Sequence, residues 1–303
     1  MILLIILAAL FGLTFIVSAS ILPYTGLFFF ISVRMLLASA LLLGYRHWIG
    51  QKTPIKRADW PRFILLGVGL IFLPFAAECF ALKYVPAAHV SLIWSLEPFA
   101  TAFYSWLLFR QYLTRRQVIG WIIGFFGIIS LLIQTHGNEL ALPQVWRFSL
   151  ADLLLILCVV ITAYAWINFK RLLQGYSSVH INGVIMLIGG CLSLGASMVF
   201  EAWAPVPIAP LSSWPSVLLA ACALVVISNL AAYNLYGYLL KKHTATLLAF
   251  SCSVLIPLFT IFFEFVFLHQ TIGWDFLARV AVVWVGLYLF YSHERPEVLT
   301  VNH

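Results

Sequence analysis

Charged side chains are scarce in this chain. Only 9% of its 303 residues are Asp, Glu, Lys or Arg, whereas soluble globular domains carry about 25%. Hydrophobic residues make up 63% of the chain, and the mean hydropathy is +1.04. A water-soluble body of this size could not cover its surface with so few charges, so a soluble enzyme is excluded.

Paired cysteines and enzyme motifs are also missing. The five cysteines lie inside hydrophobic runs without CxxC spacing, so neither a disulfide framework nor a zinc site is indicated. The chain contains no HExxH, GxSxG or Walker A motif. We therefore expect no cofactor, no metal and no ATP-driven activity of this chain alone.

Long hydrophobic runs make up most of the sequence, and each is bounded by charge, Pro or Gly. A transmembrane helix needs about 20 apolar residues. The runs predict an all-α polytopic membrane protein with ten transmembrane helices, at roughly 2–21, 26–45, 62–82, 87–109, 117–134, 151–169, 181–203, 216–240, 245–268 and 274–291.

Basic residues are distributed unevenly between the predicted loops. With a cytoplasmic N-terminus, thirteen of the seventeen Lys and Arg fall in inner loops or the tail and two in outer loops, while Arg34 and Arg279 fall within spans. Inner loops of membrane proteins are enriched in Lys and Arg. We expect a multi-pass protein of the bacterial inner membrane with both termini cytoplasmic, and no nucleic-acid partner.

A weak internal repeat divides the chain. Pro98 in span four and Pro257 in span nine lie 159 positions apart, and the same shift pairs Lys83 with Lys242. The halves are then residues 1–148 and 149–303, with five spans each. Because five is odd, the two halves would insert with opposite orientation, as in secondary transporters that bind their substrate between inverted repeats.

Several short segments resemble one transporter family. They are residues 11–15 (FGLTF), 34–38 (RMLLA), 81–84 (ALKY) and 91–98 (SLIWSLEP), followed by Leu113, Thr114, Gln117 and Gly120. Together they resemble the EamA family of the drug/metabolite transporter superfamily. The resemblance implies ten helices in two inverted five-helix repeats and transport of small organic solutes, commonly export of amino acids or related metabolites. The chain departs from the family in having Ile256-Pro257 where a second Glu-Pro is usual.

Charged residues within spans are candidates for a site, because charge in a bilayer is costly. Glu97 precedes Pro98 near the middle of span four, and proline removes a backbone hydrogen bond and can open the helix. Glu97 is therefore a candidate for binding substrate or a proton, or for a structural contact. Arg34 is a candidate for binding a substrate carboxylate, or for an ion pair with Glu97 or Glu78. Glu78 and Glu264, like Glu97, are candidates for proton coupling.

Two charged residues also have simple structural explanations. Glu264 lies near the outer end of span nine, where it can reach the interface or pair with Arg279. Asp152 begins span six, and an acidic residue suits a helix N-terminus.

Neutral polar side chains form a second group of candidates for substrate binding. Asn229 and Tyr233 in span eight are four residues apart, and so lie on one helical face. Tyr164 and Asn168 in span six have the same spacing. With Trp94, these residues offer donors, acceptors and aromatic surface suited to a zwitterionic or aromatic solute. Hydrogen bonds between packed helices are the alternative explanation.

These observations predict a secondary active transporter that moves a small polar or zwitterionic metabolite, such as an amino acid or a derivative, by alternating access. Export is the expected direction, and proton coupling is left open. Uptake of an amino acid or of a metabolite such as S-adenosylmethionine is the alternative. A lipid flippase and an intramembrane enzyme, with Ser95 beside Glu97, are further alternatives from other classes.

Overall fold

The computed structural model describes residues 2–51, 53–109, 114–135, 150–201 and 214–268, together with parts of 278–289. This part of the chain is helical and contains no strand, which confirms the all-α class. Seven helices within it are long and apolar enough to cross a membrane: Ile2–Tyr24, Leu27–Trp48, Arg57–Ala81, Leu150–Leu172, Ser178–Phe200, Leu218–Lys242 and Ala245–Phe267. They coincide with predicted spans one, two, three, six, seven, eight and nine.

The remaining predicted spans differ from these seven. Span four is divided into two shorter helices, span five forms one helix, and span ten, with Arg279, lies largely outside the described residues. In chain order the α-helices are α1 (Ile2–Ile21), α2 (Leu27–Trp48), α3 (Trp60–Leu66), α4 (Leu73–Ala81), α5 (Ala87–Trp94), α6 (Glu97–Phe109), α7 (Arg115–Thr135), α8 (Leu150–Leu172), α9 (Ser178–Phe200), α10 (Trp214–Leu224), α11 (Tyr233–Lys242) and α12 (Ala245–Leu268).

Two spans contain a stretch of π-helix. The first π segment, Gly67–Phe72, joins α3 to α4, and the second, Val225–Ala232, joins α10 to α11. The shift of 159 positions that aligns Pro98 with Pro257 also carries residues 67–72 onto residues 226–231. Both segments therefore occupy matching places in the two halves of the sequence. Short π-helical insertions are rare and often lie at functional sites.

Glycines allow close approach at two helix crossings. Helix α2 packs along α9, and α1 packs along α12. A Cβ atom added at Gly190 of α9 would lie 2.9 Å from Leu36 Cγ of α2, and one added at Gly12 of α1 would lie 2.9 Å from Phe259 Cβ of α12. A larger residue at either position would push the two helices apart, because helices in membranes rely on small residues for close packing.

One end of the α2–α9 pair is held by Glu201, which directly follows α9. The backbone N–H groups of Phe28 and Phe29 donate to its carboxylate at 2.7 and 2.9 Å, and Ser197 Oγ donates at 2.8 Å. A carboxylate at a helix N-terminus meets unpaired N–H groups and the positive end of the helix dipole. Glu201 therefore caps α2 from a different helix.

The opposite end is held by Tyr176, in the turn between α8 and α9. Its hydroxyl donates to Asp59 Oδ2 at 2.9 Å and accepts from the backbone N–H of Lys56 at 3.0 Å. These two bonds tie the connection between α2 and α3 to the start of α9.

Candidate functional site

Span four is interrupted next to its only acidic residue. Helix α5 ends at Trp94 and α6 begins at Glu97, with Ser95 and Leu96 in a turn between them. The backbone N–H of Ser95 donates to Leu92 C=O, three residues back instead of four. Pro98 has no N–H to continue the ladder, and the helix opens beside Glu97 as expected, whereas Pro257 at the matching position lies inside the continuous helix α12.

Ser95 joins the broken helix to α12. Its hydroxyl donates to the backbone carbonyl of Ser253 at 2.5 Å and lies 3.2 Å from the carbonyl of Ser91. The hydroxyl is therefore engaged with backbone carbonyls, which is a structural role rather than that of a nucleophile.

A cavity lies beside this break, between α1, α4, α5, α6, α8, α11, α12 and the two π segments. Its empty volume, counted with the space at its open side, is about 740 Å³. It is mostly apolar, with a few polar groups. The described residues that line it are Phe11, Thr14, Phe15, Leu70, Pro74, Phe75, Glu78, Ser91, Trp94, Glu97, Thr162, Trp166, Ser228, Tyr233, Tyr236, Cys252, Ser253 and Ile256.

Four polar atoms of the cavity residues are buried without a hydrogen-bond partner. They are Oε1 of Glu78, Oε1 of Glu97, Nε1 of Trp94 and the hydroxyl of Tyr236. Buried polar groups in proteins nearly always have a partner. Several such atoms around one cavity are therefore the feature of this fold that most directly indicates a place for a bound solute.

Arg34 is placed directly behind the cavity wall and does not line it. Its Nε donates to Asn229 Oδ1 at 2.7 Å and its Nη2 donates to Ser228 Oγ at 2.6 Å. The guanidinium also lies 4.7 Å from the ring centroid of Phe75. The ion pair expected with Glu97 or Glu78 is absent, since neither carboxylate contacts Arg34 within 4.0 Å. Neutral oxygens and an aromatic face hold the cation instead.

Aromatic rings form one side of the cavity. Trp166 stacks on Tyr236 with centroids 4.0 Å apart, and Tyr233 lies 5.9 Å from Trp166. Phe11 meets Tyr233 edge-on at 5.9 Å, and Phe75 lies 6.2 Å from the same ring. These rings brace one another, so the aromatic wall is formed before any solute enters.

The π segments help to position this wall. The hydroxyl of Thr162 donates to Gly69 C=O at 3.1 Å, and the hydroxyl of Tyr233 donates to Leu70 C=O at 3.2 Å. Both carbonyls belong to the first π segment, while Ser228 and Asn229, which hold Arg34, belong to the second. Each π segment therefore contributes directly to the surroundings of the cavity.

Glu264 lies outside the cavity and caps α5 from α12. The backbone N–H of Ala88 donates to its Oε1 at 3.1 Å, and the N–H of Ala87 also donates to this carboxylate. Nearby, His89 Nε2 of α5 lies 2.8 Å from Asp152 Oδ1 of α8. The N-terminal end of α5 is thus connected to both α12 and α8 by polar contacts.

Tyr164 and Asn168 are placed away from the cavity. The Tyr164 ring packs against Tyr104 of α6, with centroids 5.3 Å apart. The Asn168 side chain donates to the carbonyl of Tyr164 in its own helix at 3.0 Å. These two residues of α8 therefore serve helix packing in this structure.

Of the residues singled out from the sequence, Glu97, Glu78, Trp94 and Tyr233 come together in one cavity. Trp166 and Tyr236, which form its aromatic wall, were not chosen as substrate-binding candidates from the sequence. Thr162 and Trp166 have the same spacing of four residues as Tyr164 and Asn168, so this signal was available on the other face of the same helix.

The family model described as the EamA-like transporter family matches residues 1–133 and 149–292. The chain belongs to this family. It is accordingly a multi-pass membrane transporter and not an enzyme, which confirms the resemblance and the exclusion of enzymatic function.

Known relatives of this EamA-like transporter are transporters too. It is 30% identical over 285 residues to the S-adenosylmethionine/S-adenosylhomocysteine transporter of Chlamydia trachomatis serovar L2, covering 93% of this chain and 85% of the relative. It is 28% identical to the protein of the same name from Chlamydia muridarum, covering 93% of this chain and 88% of the relative. It is 24% identical to the uncharacterized transporter YvbV of Bacillus subtilis, covering 96% and 91%.

The fold also matches a solved crystal structure. The TM-score is 0.73 at 20% sequence identity, and the match covers 96% of each chain. The overall arrangement of helices is therefore one that has been observed experimentally.

Proposed function

We propose that this EamA-like transporter is a secondary active transporter and that its solute binds in the cavity beside the α5–α6 break. The observation that carries the proposal is the group of buried, unpartnered polar atoms on the cavity wall. A bound solute would supply the partners that these atoms lack. Secondary transporters commonly bind substrate beside interrupted helices near the middle of the membrane. Glu97, Trp94 and Tyr233 would contact the solute, with Arg34 and Asn229 supporting the wall from behind.

The proposed architecture has ten transmembrane helices, as two inverted repeats of five within residues 1–148 and 149–303, and both termini in the cytoplasm. Two observations support the division: the family model matches the chain in two separate stretches, and the two π segments lie at matching positions of the repeat. The concentration of Lys and Arg in alternate loops supports the orientation.

S-adenosylmethionine or S-adenosylhomocysteine is the first substrate to test, because relatives that match most of this chain carry these names. The chemical groups on the cavity wall match those of such a molecule. Its stacked aromatic rings offer flat surfaces for a purine, and its unpartnered carboxylates and donors offer partners for the polar groups of an amino acid.

The direct experiment is uptake of radiolabelled S-adenosylmethionine by proteoliposomes that contain the purified full-length protein. We expect saturable uptake that unlabelled S-adenosylhomocysteine competes with. Replacing Glu97 by Gln should remove most of this flux, because the substitution deletes one of the two acidic groups on the cavity wall. Near-normal flux from a correctly inserted Glu97→Gln protein would contradict the assignment of Glu97.

Tyr164→Phe is a matched control for variants of the wall, since Tyr164 packs on α6 away from the cavity. It should leave flux close to that of the unaltered protein. If Tyr164→Phe and Glu97→Gln reduced flux equally, the cavity would not be the solute site.

Direction and coupling are separate parts of the proposal. Following the family resemblance, we propose export, with Glu97 or Glu78 as the group that takes a proton. Cells that overproduce an exporter should hold less internal substrate than control cells, whereas cells that overproduce an importer should hold more. Flux that responds to an imposed proton gradient would support coupling, and flux that follows only the substrate gradient would contradict it.

A further inference from the structure

The charges on the cavity wall are all of one sign. Glu78 and Glu97 line it, and none of the described lining residues is Lys, Arg or His. A zwitterionic solute would therefore find partners for its ammonium group on this wall and no cationic side chain for its carboxylate.

Arg34 lies behind the wall, where two of its three guanidinium nitrogens have hydrogen-bond partners and the buried Nη1 has none in the described structure. Arg34 donates hydrogen bonds from Nε to Asn229 and from Nη2 to Ser228, and its guanidinium lies over the ring of Phe75. Among the carboxylates, its strongest electrostatic interaction is with Glu78. Arg34 therefore offsets part of the charge of Glu78, although the two groups are not in contact.

Glu97 is left without a counter-charge in the described structure. Its Oε1 is buried and has no hydrogen-bond partner. The aromatic wall of Trp166, Tyr233 and Tyr236 lines the same cavity. Aromatic faces attract cations by their quadrupole, and the attraction is larger in sites shielded from water. One uncompensated acid facing stacked aromatic rings is an arrangement suited to one positive charge.

We propose that the cavity selects solutes with one net positive charge, whose cationic centre lies between Glu97 and the aromatic wall. This inference rests on the proposed function, because it concerns the same cavity. The inference goes beyond the proposed function, because it predicts that a neutral or zwitterionic analogue of equal shape binds more weakly than the cationic solute. The expectation from the sequence, a small polar or zwitterionic metabolite, is thereby changed to a solute with one net positive charge.

The S-adenosyl compounds provide a test in which charge changes and shape hardly does. S-adenosylmethionine has a sulfonium centre and one net positive charge, whereas S-adenosylhomocysteine has a neutral thioether and no net charge. Sinefungin carries an ammonium group at the corresponding position and restores the net charge. Binding of each to the purified full-length protein in detergent can be measured by calorimetry.

We expect both cationic compounds to bind roughly tenfold or more tightly than S-adenosylhomocysteine. Glu97→Gln should reduce this preference to near unity, whereas Glu97→Asp should retain most of it because the charge remains. Thermal unfolding of both variants checks that they are folded. If Glu97→Gln does not fold, Trp166→Phe, which keeps an aromatic ring with a weaker quadrupole, should reduce the preference severalfold.

The other outcomes separate this inference from the proposed substrate. Equal affinity for the charged and neutral compounds would overturn charge selection and leave transport of S-adenosyl compounds standing. If no S-adenosyl compound binds, the probe becomes tetraethylammonium. If tetraethylammonium binds and Glu97→Gln weakens its binding, charge selection is supported and S-adenosyl compounds are ruled out as substrates. If tetraethylammonium does not bind, charge selection is overturned as well.

Discussion

Substitution of Glu264 can show whether this acid inside a span takes part in proton coupling or stabilises the fold as a helix cap. The sequence makes it a candidate for proton coupling, but the structure places its carboxylate on the backbone N–H groups at the start of α5. A capping carboxylate and a coupling carboxylate respond differently to substitution by glutamine. Glutamine keeps an acceptor oxygen for the cap, and loses the ability to exchange a proton.

The size of the effect follows from these contacts. Hydrogen bonds to charged groups contribute about 1.5–3 kcal/mol, and removal of a helix cap costs about 0.5–2 kcal/mol. Glu264→Ala should therefore destabilise the protein by about 2–3 kcal/mol. Glu264→Gln should cost about 1 kcal/mol, because only the charge is lost. At about 2–4 °C per kcal/mol for chains of this order of size, the thermal midpoint should fall by about 5 °C or more for Ala and about 2 °C for Gln.

The assay combines thermal unfolding in detergent with flux in proteoliposomes. A capping role predicts that the Glu264→Gln protein transports and that Ala is the more damaging substitution. Glu201→Gln is the matched control, because Glu201 caps α2 by the same kind of contact. Loss of flux in Glu264→Gln with an unchanged thermal midpoint would refute the capping role and favour proton coupling.

Three further predictions concern other contacts. Tyr236→Phe removes an unpartnered hydroxyl from the cavity and should weaken solute binding severalfold in calorimetry without lowering thermal stability, whereas Tyr164→Phe should leave binding unchanged. Gly12→Ala should destabilise by about 1–3 kcal/mol through overpacking of α1 on α12, whereas Gly44→Ala, where an added Cβ meets nothing within 4 Å, should not lower the thermal midpoint. Tyr176→Phe should cost about 1–2 kcal/mol in thermal unfolding, because two hydrogen bonds depend on its hydroxyl.

Features that depend on local chemistry were predictable from the sequence. Hydrophobic run length located the seven membrane-capable helices, since the bilayer sets the length of a span. The missing N–H of Pro98 indicated the break in span four. The cost of charge in a bilayer drew attention to Glu78 and Glu97, which do line the cavity.

Features that depend on which helix face meets which neighbour were not predictable. In span six, positions two apart lie about 200° around the helix from each other, so the pair Tyr164 and Asn168 points away from the face that carries Thr162 and Trp166. The spacing of four residues shows that two side chains lie on the same face of the helix. It does not show which face of the helix borders the cavity. The partners of Arg34 could not be predicted from the sequence either, because they come from a span almost two hundred residues away along the chain.

The acids in and around the spans differ most in what meets their oxygens. Glu201 and Glu264 accept from backbone N–H groups at the starts of other helices, and Asp152 contacts His89. Glu78 and Glu97 each keep a buried oxygen without a partner on the wall of one cavity. A buried acid whose oxygens accept hydrogen bonds has a structural role in the fold. A buried acid without such partners lowers the stability of the protein, and a bound ligand would supply the missing partner. This contrast, more than the position of any acid along the sequence, is the reason for placing the solute beside Glu97.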